Sequence, residues 1–258
     1  MTGEVLAPLR ARYAHWLSLN QEQVLLDRDE AAGDIRALQL LLRMERERPP
    51  SWQRALAMAA TLSASICLEA RSEPGGDWFE AVRDYCAGHI RKVTRRGRGA
   101  QWEATSELPG ITLIEGDTQV RALVPGRVTE LDKRVSRLQV GGTDVDPDDP
   151  LPRTGSALQI WLPPRPMMTL GKAMAQTGHA GMIAAALLVE DQDRLRSWID
   201  TGLPAVVRRA GEDEWCRLTT ASGNVATAWS RDRLLAVRDA GFTEVAPGTI
   251  TAVAQVGW

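Results

Sequence analysis

The chain has 258 residues, of which 44% are hydrophobic and 25% charged, and its formal net charge is −2. This is the composition of an ordinary globular protein, which excludes a disordered or membrane-embedded chain. A nearly balanced charge gives no global attraction to nucleic acid, so any RNA binding has to come from a local basic patch.

The predicted elements follow one another in four parts. Residues 1–34 place apolar side chains at helical spacing, which predicts an N-terminal helical extension. Residues 35–142 alternate strand-like and helix-like patterns, beginning with a strand and ending with two strands. Residues 143–156 contain four aspartates, three prolines and a glycine, which is typical of a solvated linker. Residues 157–258 then start the alternation again.

Three short matches indicate that the fourth part repeats the second. They occur in the same order in both parts, and the offset between the copies drifts, as loop insertions would cause. The sequence therefore predicts an α/β fold built as a tandem of two related units, each a mixed sheet with helices on its faces. The matches are Ala-Leu-Gln at 37–39 and 157–159, Arg-Arg before Trp at 95–102 and 208–215, and Asp before Pro-Gly at 117–126 and 239–248.

Several classes of chemistry find no support in the sequence. The three cysteines, Cys67, Cys86 and Cys216, have no paired spacing, which favours a reducing compartment without disulfides. No zinc-ligand spacing, Gly-x-Ser-x-Gly elbow or phosphate-binding loop occurs, so we expect neither a metal nor a cofactor. The longest apolar stretch is about half the roughly 20 residues of a membrane span, and residues 1–20 carry charges. We expect a cytoplasmic protein without a membrane association.

A polar stripe marks the first helix of the second unit. Lys172, Gln176 and His179 stand at i, i+4 and i+7 and share one helix face. A solvated stripe is the ordinary interpretation of such a pattern. Here the neighbours are alanine and glycine, which leave room for a ligand, whereas a solvent face usually carries long charged side chains. The stripe is therefore a candidate site.

A second candidate is the stretch that ends one strand and turns into the next, where α/β units place their sites. Turn chemistry accounts for its Pro-Gly pair. It does not account for Asp239 together with Thr243 and Thr249, because the matching places of the first unit hold Arg121 and Arg127. The three side chains are candidate site residues.

These two stretches resemble the second family of peptidyl-tRNA hydrolases, the kind typical of archaea and eukaryotes. Residues 171–180 match its Gly-Lys-x-x-x-Gln-x-x-His-Ala helix, and residues 238–249 match its Arg-Asp-Ala-Gly-x-Thr-x-x-Ala-Pro-Gly-Thr turn. The motifs cover about a tenth of the chain, and the strand order covers residues 157–258. The resemblance implies a small sheet sandwiched by helices and a substrate in which an ester joins a peptide to the tRNA 3′ end.

The resemblance also implies roles for individual residues. An activated ester needs an oriented water and donors for the developing oxyanion. Asp239 would orient or deprotonate the water, Lys172 would stabilise the oxyanion or the terminal phosphate, and Gln176 and Thr243 would position both. His179 has two alternatives: it titrates near neutral pH, or it ties Asp239 to the sheet. Residues expected to contact the substrate are Gly171, Arg238 and Thr249.

The first unit contains a basic run from Arg91 to Arg98, followed by Trp102. Charge next to an aromatic ring is the combination that RNA binding uses, and Arg95, Arg96 and Arg98 are its candidates here. The alternative is a solvated strand edge whose charges prevent aggregation.

Catalysis is expected in the second unit alone. The helix of the first unit carries Arg54, Met58 and Thr61 in place of the Lys, Gln and His, so we expect that unit to be degenerate. The second unit departs from the family at Leu170 and Phe242, which stand where the family usually has basic residues, and lacks an acidic residue in 163–166. These departures keep open an alternative function, in which the protein binds tRNA or another acylated ligand without hydrolysing it.

The predicted function is thus hydrolysis of the ester bond of peptidyl-tRNA, with tRNA as the partner. A purely structural partner protein is a third possibility, and the retention of the polar set in only one unit argues against it. Members of the family commonly pair as dimers, and a fused repeat could reproduce that pairing as a monomer with an internal pseudo-dimer.

Overall fold

The computed structural model describes residues 2–26, 31, 33–148, 155–241 and 244–258, without the side chains of residues 225 and 226. None of the helices in this described part is long and apolar enough to cross a membrane. The helices are α1 (Ala7–Ser18), α2 (Gln21–Leu26), α3 (Trp52–Leu68), α4 (Phe79–Ala87), α5 (Gly99–Glu103), α6 (Lys133–Ser136), α7 (Leu170–Leu188), α8 (Gln192–Asp200), α9 (Glu212–Ser222) and α10 (Val225–Asp232). The strands are β1 (Arg36–Arg43), β2 (Arg91–Gly97), β3 (Gly110–Glu115), β4 (Thr118–Leu123), β5 (Gly126–Arg127), β6 (Gln139–Val140), β7 (Leu158–Leu162), β8 (Ala205–Arg209), β9 (Leu234–Arg238) and β10 (Ile250–Gln255).

The strands form two mixed sheets with the same central order. The first sheet runs β3-β4-β1-β2-β6, with β5 paired to β1, and the second runs β8-β7-β10-β9. In each sheet the first two strands in the chain are parallel, and the next two form an antiparallel pair whose second strand lies beside the first strand of the sheet. Four strands of the first sheet therefore repeat the topology of the whole second sheet.

Helices α3 and α7 pack side by side between the two sheets, and one hydrophobic core encloses both. Each helix begins at a hydroxyl cap: Ser51 Oγ accepts from the Arg54 amide, and Thr169 Oγ1 accepts from the Lys172 amide. A Cβ atom at Gly181 would collide with the backbone of α3, so this glycine permits the close approach of the helices. The core thus joins both sheets into a single packed body.

Helix α1 covers the open edge of the second sheet. The Tyr13 hydroxyl accepts from the Ala236 amide at 2.8 Å and donates to the Ala236 carbonyl at 3.2 Å. Trp16 Nε1 donates to the Arg238 carbonyl at 3.2 Å. The side chains of α1 therefore satisfy backbone groups of β9 that an edge strand would otherwise leave to solvent or to another chain.

The predicted linker is partly packed, which differs from the expectation of a solvated connector. Thr143 is buried, and its hydroxyl accepts from the Gly171 amide at 3.0 Å. Asp148 Oδ1 accepts from the Gln53 amide at the start of α3. Short polar side chains at 143–148 thus satisfy helix N-termini, which the composition of the segment did not reveal. Residues 149–154 lie outside the described residues.

One of the three sequence matches was wrong. Pro125-Gly126 follows β4, whereas Pro247-Gly248 precedes β10, so the two pairs do not occupy the same place. Arg121 and Arg127 are consequently not the counterparts of Thr243 and Thr249. The cause is a difference in loop length: β3 and β4 meet in a tight turn, whereas residues 239–249 connect β9 to β10.

The sheet registers supply the corrected match. Ile111 of β3 and Leu235 of β9 occupy equivalent positions. Each pairs with an alanine of the neighbouring strand, and that alanine pairs with the first strand of the same sheet. Counting four residues onward along β3 and β9 places Glu115 at the position of Asp239. Asp117, which the sequence paired with Asp239, lies two residues further on in the turn.

Candidate active site

The site lies where the first turns of α7 meet the end of β9. Lys172 and Gln176 face inward from α7, and Asp239 is the residue directly after β9. Lys172 Nζ is 2.6 Å from Asp239 Oδ2, and Gln176 Nε2 donates to the same oxygen at 2.8 Å. The two predicted stretches, about 65 residues apart, therefore meet as the sequence patterns indicated.

The Lys172–Asp239 pair is almost completely buried, with 10% and 8% of the side chains exposed. Two opposite charges removed from water are stable only when hydrogen bonds satisfy their remaining valences. The Gly241 amide donates to Asp239 Oδ1 at 2.7 Å and supplies one such bond. Removing either partner would leave the other charge uncompensated, which couples the pair to folding as well as to chemistry.

Thr251 fixes the orientation of Gln176. Its hydroxyl donates to Gln176 Oε1 at 2.5 Å, and this bond directs the Gln176 amide nitrogen toward Asp239. Val237 pairs with Ala252 and Arg238 pairs with Ile250, so Thr251 is the extra residue of a β-bulge. Bulges beside active sites re-aim a side chain. The hairpin of the first sheet keeps a regular register and has no such bulge.

The connection from β9 to β10 holds Asp239 from both sides. The Asp239 amide donates to the Thr249 carbonyl at 2.9 Å, and the Gly248 amide donates to the Asp239 carbonyl at 2.8 Å. Gly241 has a φ of 75° and lies against Pro247, so a side chain there would be strained and would also clash. The backbone of this turn is therefore built around the carboxylate.

The donors and the acceptor of the cluster that are not used within it are those that ester hydrolysis needs. A lysine ammonium carries three hydrogens and a glutamine amide two, and Asp239 takes one from each. The other hydrogens of Lys172 and Gln176 can donate to an oxyanion, and Asp239 Oδ1 retains a lone pair that can orient a water. The arrangement can thus hold a nucleophilic water and a developing negative charge within one cluster.

His179 contacts the first unit and not Asp239. Its Nδ1 lies 3.4 Å from the Nζ of Lys92 on β2, and Lys92 also contacts the Tyr85 hydroxyl at 3.3 Å and Met182 Sδ at 3.0 Å. Both side chains are half-buried. The expectation that His179 ties Asp239 to the sheet was wrong, because β2 of the other sheet approaches α7 at this point.

Burial controls the protonation of this pair. Desolvation lowers the pKa of Lys92 to about 7, against an ordinary value of 10.5. Desolvation, followed by the nearby charges of Lys92 and Lys172, holds the pKa of His179 well below 6.5. His179 is therefore neutral at neutral pH, which contradicts the expectation that it titrates there. The group that titrates near pH 7 at this site is Lys92.

A cavity of about 390 Å³ opens beside the buried pair. It lies between α7, β9, α1 and the start of β2, and its walls are largely apolar. Its lining includes one carboxylate among the described residues, Asp239, together with the cationic side chains of Arg12, Arg91, Lys92, Lys172 and Arg238. Among the described residues the lining therefore carries more cationic than anionic side chains, which favours an anionic ligand.

The predicted substrate-contacting residues of the second unit have structural partners. Gly171 packs against Thr94 of the first unit and Thr143 of the linker and is not among the residues that line the cavity. The Arg238 guanidinium lines the cavity. It donates to the carbonyls of Gly248, Leu17 and Leu19 and thereby connects the N-terminal extension to the turn. The Thr249 hydroxyl donates to the Ala246 carbonyl. Thr243 and its neighbour Phe242 lie outside the described residues.

The side chains of the basic run of the first unit lie in three different places. Arg91 and Lys92 line the cavity beside Asp239. Arg96 and Arg98 line a second cavity, of about 1070 Å³, at the corresponding end of the first sheet. Arg95 points into the structure, where it donates to Gln39 Oε1 at 2.9 Å and to the Leu138 carbonyl at 3.1 Å.

Sequence reasoning missed Thr251 and the placement of Lys92 at the site. Thr251 stands in a strand-like Ile-Thr-Ala-Val run with no sign that its side chain turns inward at a bulge. Lys92 stood out only as a member of the basic run. The sequence around it offers no signal for contact with a helix more than 80 residues away.

No group of three or more histidine, cysteine, aspartate or glutamate side chains that could hold a metal ion occurs among the described residues. The fold and the site define an α/β protein with a buried Lys–Asp pair, an oriented glutamine amide and a cationic cleft. The family model of peptidyl-tRNA hydrolase PTH2 matches residues 165–256, which confirms the predicted resemblance for the C-terminal part of the chain. No curated protein and no solved structure was found to match the chain.

Proposed function

We propose that the protein hydrolyses the ester bond of peptidyl-tRNA at the Lys172, Gln176 and Asp239 cluster. The observation that carries this proposal is the convergence of Lys172 and Gln176 on the buried carboxylate of Asp239, within the segment that matches the hydrolase family. The cluster supplies an orienting acceptor and two donors, which are the groups that ester hydrolysis requires.

The reaction begins when the ester carbonyl lies against Lys172 and Gln176. Asp239 Oδ1 accepts a hydrogen from a water and directs its oxygen at the carbonyl carbon. Attack forms a C–O bond and places negative charge on the former carbonyl oxygen, which Lys172 Nζ and Gln176 Nε2 stabilise. Asp239 Oδ1 takes up a proton of the attacking water and passes it to the ribose oxygen as collapse of this intermediate breaks the bond to that oxygen. The products are tRNA and the peptide carboxylic acid, which loses its remaining proton to solvent.

Positive charge along β2 supports the assignment of tRNA as the partner. Arg91 lines the cavity at the site, whereas Arg96 and Arg98 line the cavity of the first sheet, roughly 20 Å further along an extended strand. Phosphates bound at both ends would release counterions and make affinity depend on salt. We propose that this strand follows the acceptor end of the tRNA.

We further propose that the two sheets arose by tandem duplication and that only the second copy remained active. Four strands repeat the same order and directions, and α3 and α7 begin at equivalent hydroxyl caps. In the first copy Glu115 holds the place of Asp239 and Arg54 the place of Lys172, but Met58 replaces Gln176. The unit therefore lacks the amide and the bulge that organise the site.

Peptide release from N-acetylaminoacyl-tRNA tests the hydrolysis. Asp239→Asn removes the charge that holds the water, so kcat should fall by about 10²–10⁴-fold. Glu115→Gln makes the same chemical change at the corresponding position of the first unit and should leave kcat unchanged. Equal losses in both variants would contradict a single active unit.

Folding has to be controlled because Asp239→Asn leaves Lys172 as a buried cation, a change worth about 3–5 kcal/mol of stability for fully buried pairs. Gln176→Met keeps the ion pair and copies the residue of the first unit, and it should reduce kcat by about 10²–10³-fold while the protein stays folded. Undiminished release by Gln176→Met would refute the proposed site. Wild-type protein that binds the substrate without releasing peptide would favour the alternative of a non-hydrolysing binding protein.

The RNA contact is tested through the salt dependence of tRNA affinity. Neutralising Arg96 and Arg98 should reduce the slope of log affinity against log salt by about one for each phosphate that the variant no longer neutralises. Arg95→Gln is the matched control, because the inward-pointing Arg95 should not change the slope. An unchanged slope in the Arg96 and Arg98 variants would exclude the proposed path of the tRNA.

A further inference from the structure

The cavity beside Asp239 has a wall that belongs to neither sheet. Helix α1 supplies Leu9, Tyr13 and Trp16, and hydrogen bonds to β9 fasten the last two to the second sheet. Arg238 in turn donates to the carbonyls of Leu17 and Leu19 at the end of the helix. The wall is thus anchored at several points and is part of the site.

Most of the surface of this cavity is apolar, and Arg12, Arg91 and Lys92 also contribute to its lining. Ala175 and Ile183 of α7 and Ala236 of β9 face the side chains of α1 across it. The polar end, with Lys172 and Asp239, continues directly into this apolar part. Trp16, whose Nε1 donates to the Arg238 carbonyl, stands at the junction of the two.

The corresponding cavity of the first sheet is different. Its lining includes Arg54, Arg96, Glu115, Asp117 and Asp146, and no residue of α1 contributes to it. The apolar part of the cavity beside Asp239, called the chamber below, is therefore particular to the unit that carries the Lys172 and Asp239 cluster, because α1 lines this cavity and not the cavity of the first sheet.

We infer that the chamber binds the side chain of the amino acid whose carboxyl group is esterified, and that it prefers a large apolar side chain. This inference rests on the proposed ester hydrolysis, because it places the ester at Lys172 and Asp239. The volume of about 390 Å³ is near the lower end of the roughly 300–1,000 Å³ of small-molecule pockets. It accommodates a leucine or phenylalanine side chain, and apolar walls gain nothing from glycine.

Two tRNA probes measure the preference directly. One carries N-acetylphenylalanine and the other N-acetylglycine, each joined through an ester for kinetics and through a 3′ amide for equilibrium binding. Filling an apolar pocket distinguishes such substrates by about 10- to 200-fold. Wild-type protein should show a preference of this size for the phenylalanyl probe, both in kcat/KM and in the Kd of the amide.

Two variants of residues that line the chamber, one that opens it and one that fills it, should remove the preference for the phenylalanyl probe. Trp16→Ala takes away the wall, and Ala175→Leu fills the space, so both should weaken binding of the phenylalanyl amide and leave that of the glycyl amide within about threefold, since changes away from its contacts add little. Trp229→Ala, at another half-buried tryptophan, is the matched control and should change neither probe.

The outcomes separate this inference from the proposed function. Preferential binding of the phenylalanyl amide without hydrolysis of either ester would overturn the hydrolysis and support the chamber. Hydrolysis of both esters at equal kcat/KM, with equal Kd values for the amides, would overturn the chamber and leave the hydrolysis standing. A preference that survives both Trp16→Ala and Ala175→Leu would also overturn it.

Discussion

Replacement of Lys92 by methionine tests the burial of an amine at the contact between the two units. The amine lies among Tyr85, Met182 and His179, and the thiols of Cys67 and Cys86 are close enough to affect its charge. Methionine keeps the unbranched shape and removes the charge. The expected consequence is a change in how the stability of the protein depends on pH.

The sign follows from the lowered pKa. Lys92 has a pKa of about 7 in the folded protein and 10.5 as its ordinary value, so between these limits the unfolded chain binds a proton that the folded protein does not. The free energy of unfolding therefore falls as the pH drops from 10.5 to 7, by at most about 1.4 kcal/mol per pH unit. Below pH 7 both states are protonated and the loss is complete.

The magnitude over the whole window is about 5 kcal/mol for a completely dry amine and about 2–3 kcal/mol for one that borders a cavity. Urea unfolding at pH 7.5 and 9.5 measures it. Wild-type stability should rise between these values by about 1–2 kcal/mol more than that of Lys92→Met. Lys133→Met, at an exposed lysine of α6, is the control and should follow the wild type.

Equal pH dependence in wild type and Lys92→Met would refute the burial of the amine. A second measurement does not depend on a variant: the reaction of Lys92 with an amine-specific reagent, followed by mass spectrometry, should have its midpoint near pH 7. A midpoint above pH 9 would lead to the same refutation.

Two further predictions concern the site and the helix contact. Thr251→Val removes the hydroxyl that orients Gln176, and it should lower kcat about tenfold with little change in KM. Thr177 is equally buried and serves as the control: Thr177→Val should lose about 1 kcal/mol of stability and keep the wild-type kcat. Wild-type kcat in Thr251→Val would show that the bulge does not position the amide. Gly181→Ala forces apart α3 and α7 and should destabilise the protein by about 1–3 kcal/mol in urea unfolding, while Gly223→Ala, which has space for a methyl group, should not. Equal stabilities of the two glycine variants would contradict the tight helix contact.

The local patterns of the sequence were sufficient to predict that the main site residues of the second unit lie together. The i, i+4 and i+7 spacing placed Lys172 and Gln176 on one face of a helix, because an α-helix has a fixed periodicity. The motif at the end of a strand placed Asp239 near them, because ligands of α/β units collect at strand ends. Both predictions concern residues whose positions depend on local backbone geometry.

Contacts between distant segments were decided only by the tertiary structure. The register of β9 and β10 showed that Glu115, and not Asp117, corresponds to Asp239, because the length of a turn is invisible to an ungapped match. The same register placed the bulge that turns Thr251 toward Gln176.

What the sequence predicted by itself is the polar set of the second unit: the helix stripe, the acidic turn and their resemblance to the peptidyl-tRNA hydrolase family. What only the tertiary structure decided is the surroundings of that chemistry. Lys92 approaches His179, and Trp16 closes the cavity, because α3 and α7 pack between two sheets and bring β2 and α1 against the second unit. Burial, and with it the lowered pKa values of Lys92 and His179, depends on that packing of segments far apart in the chain.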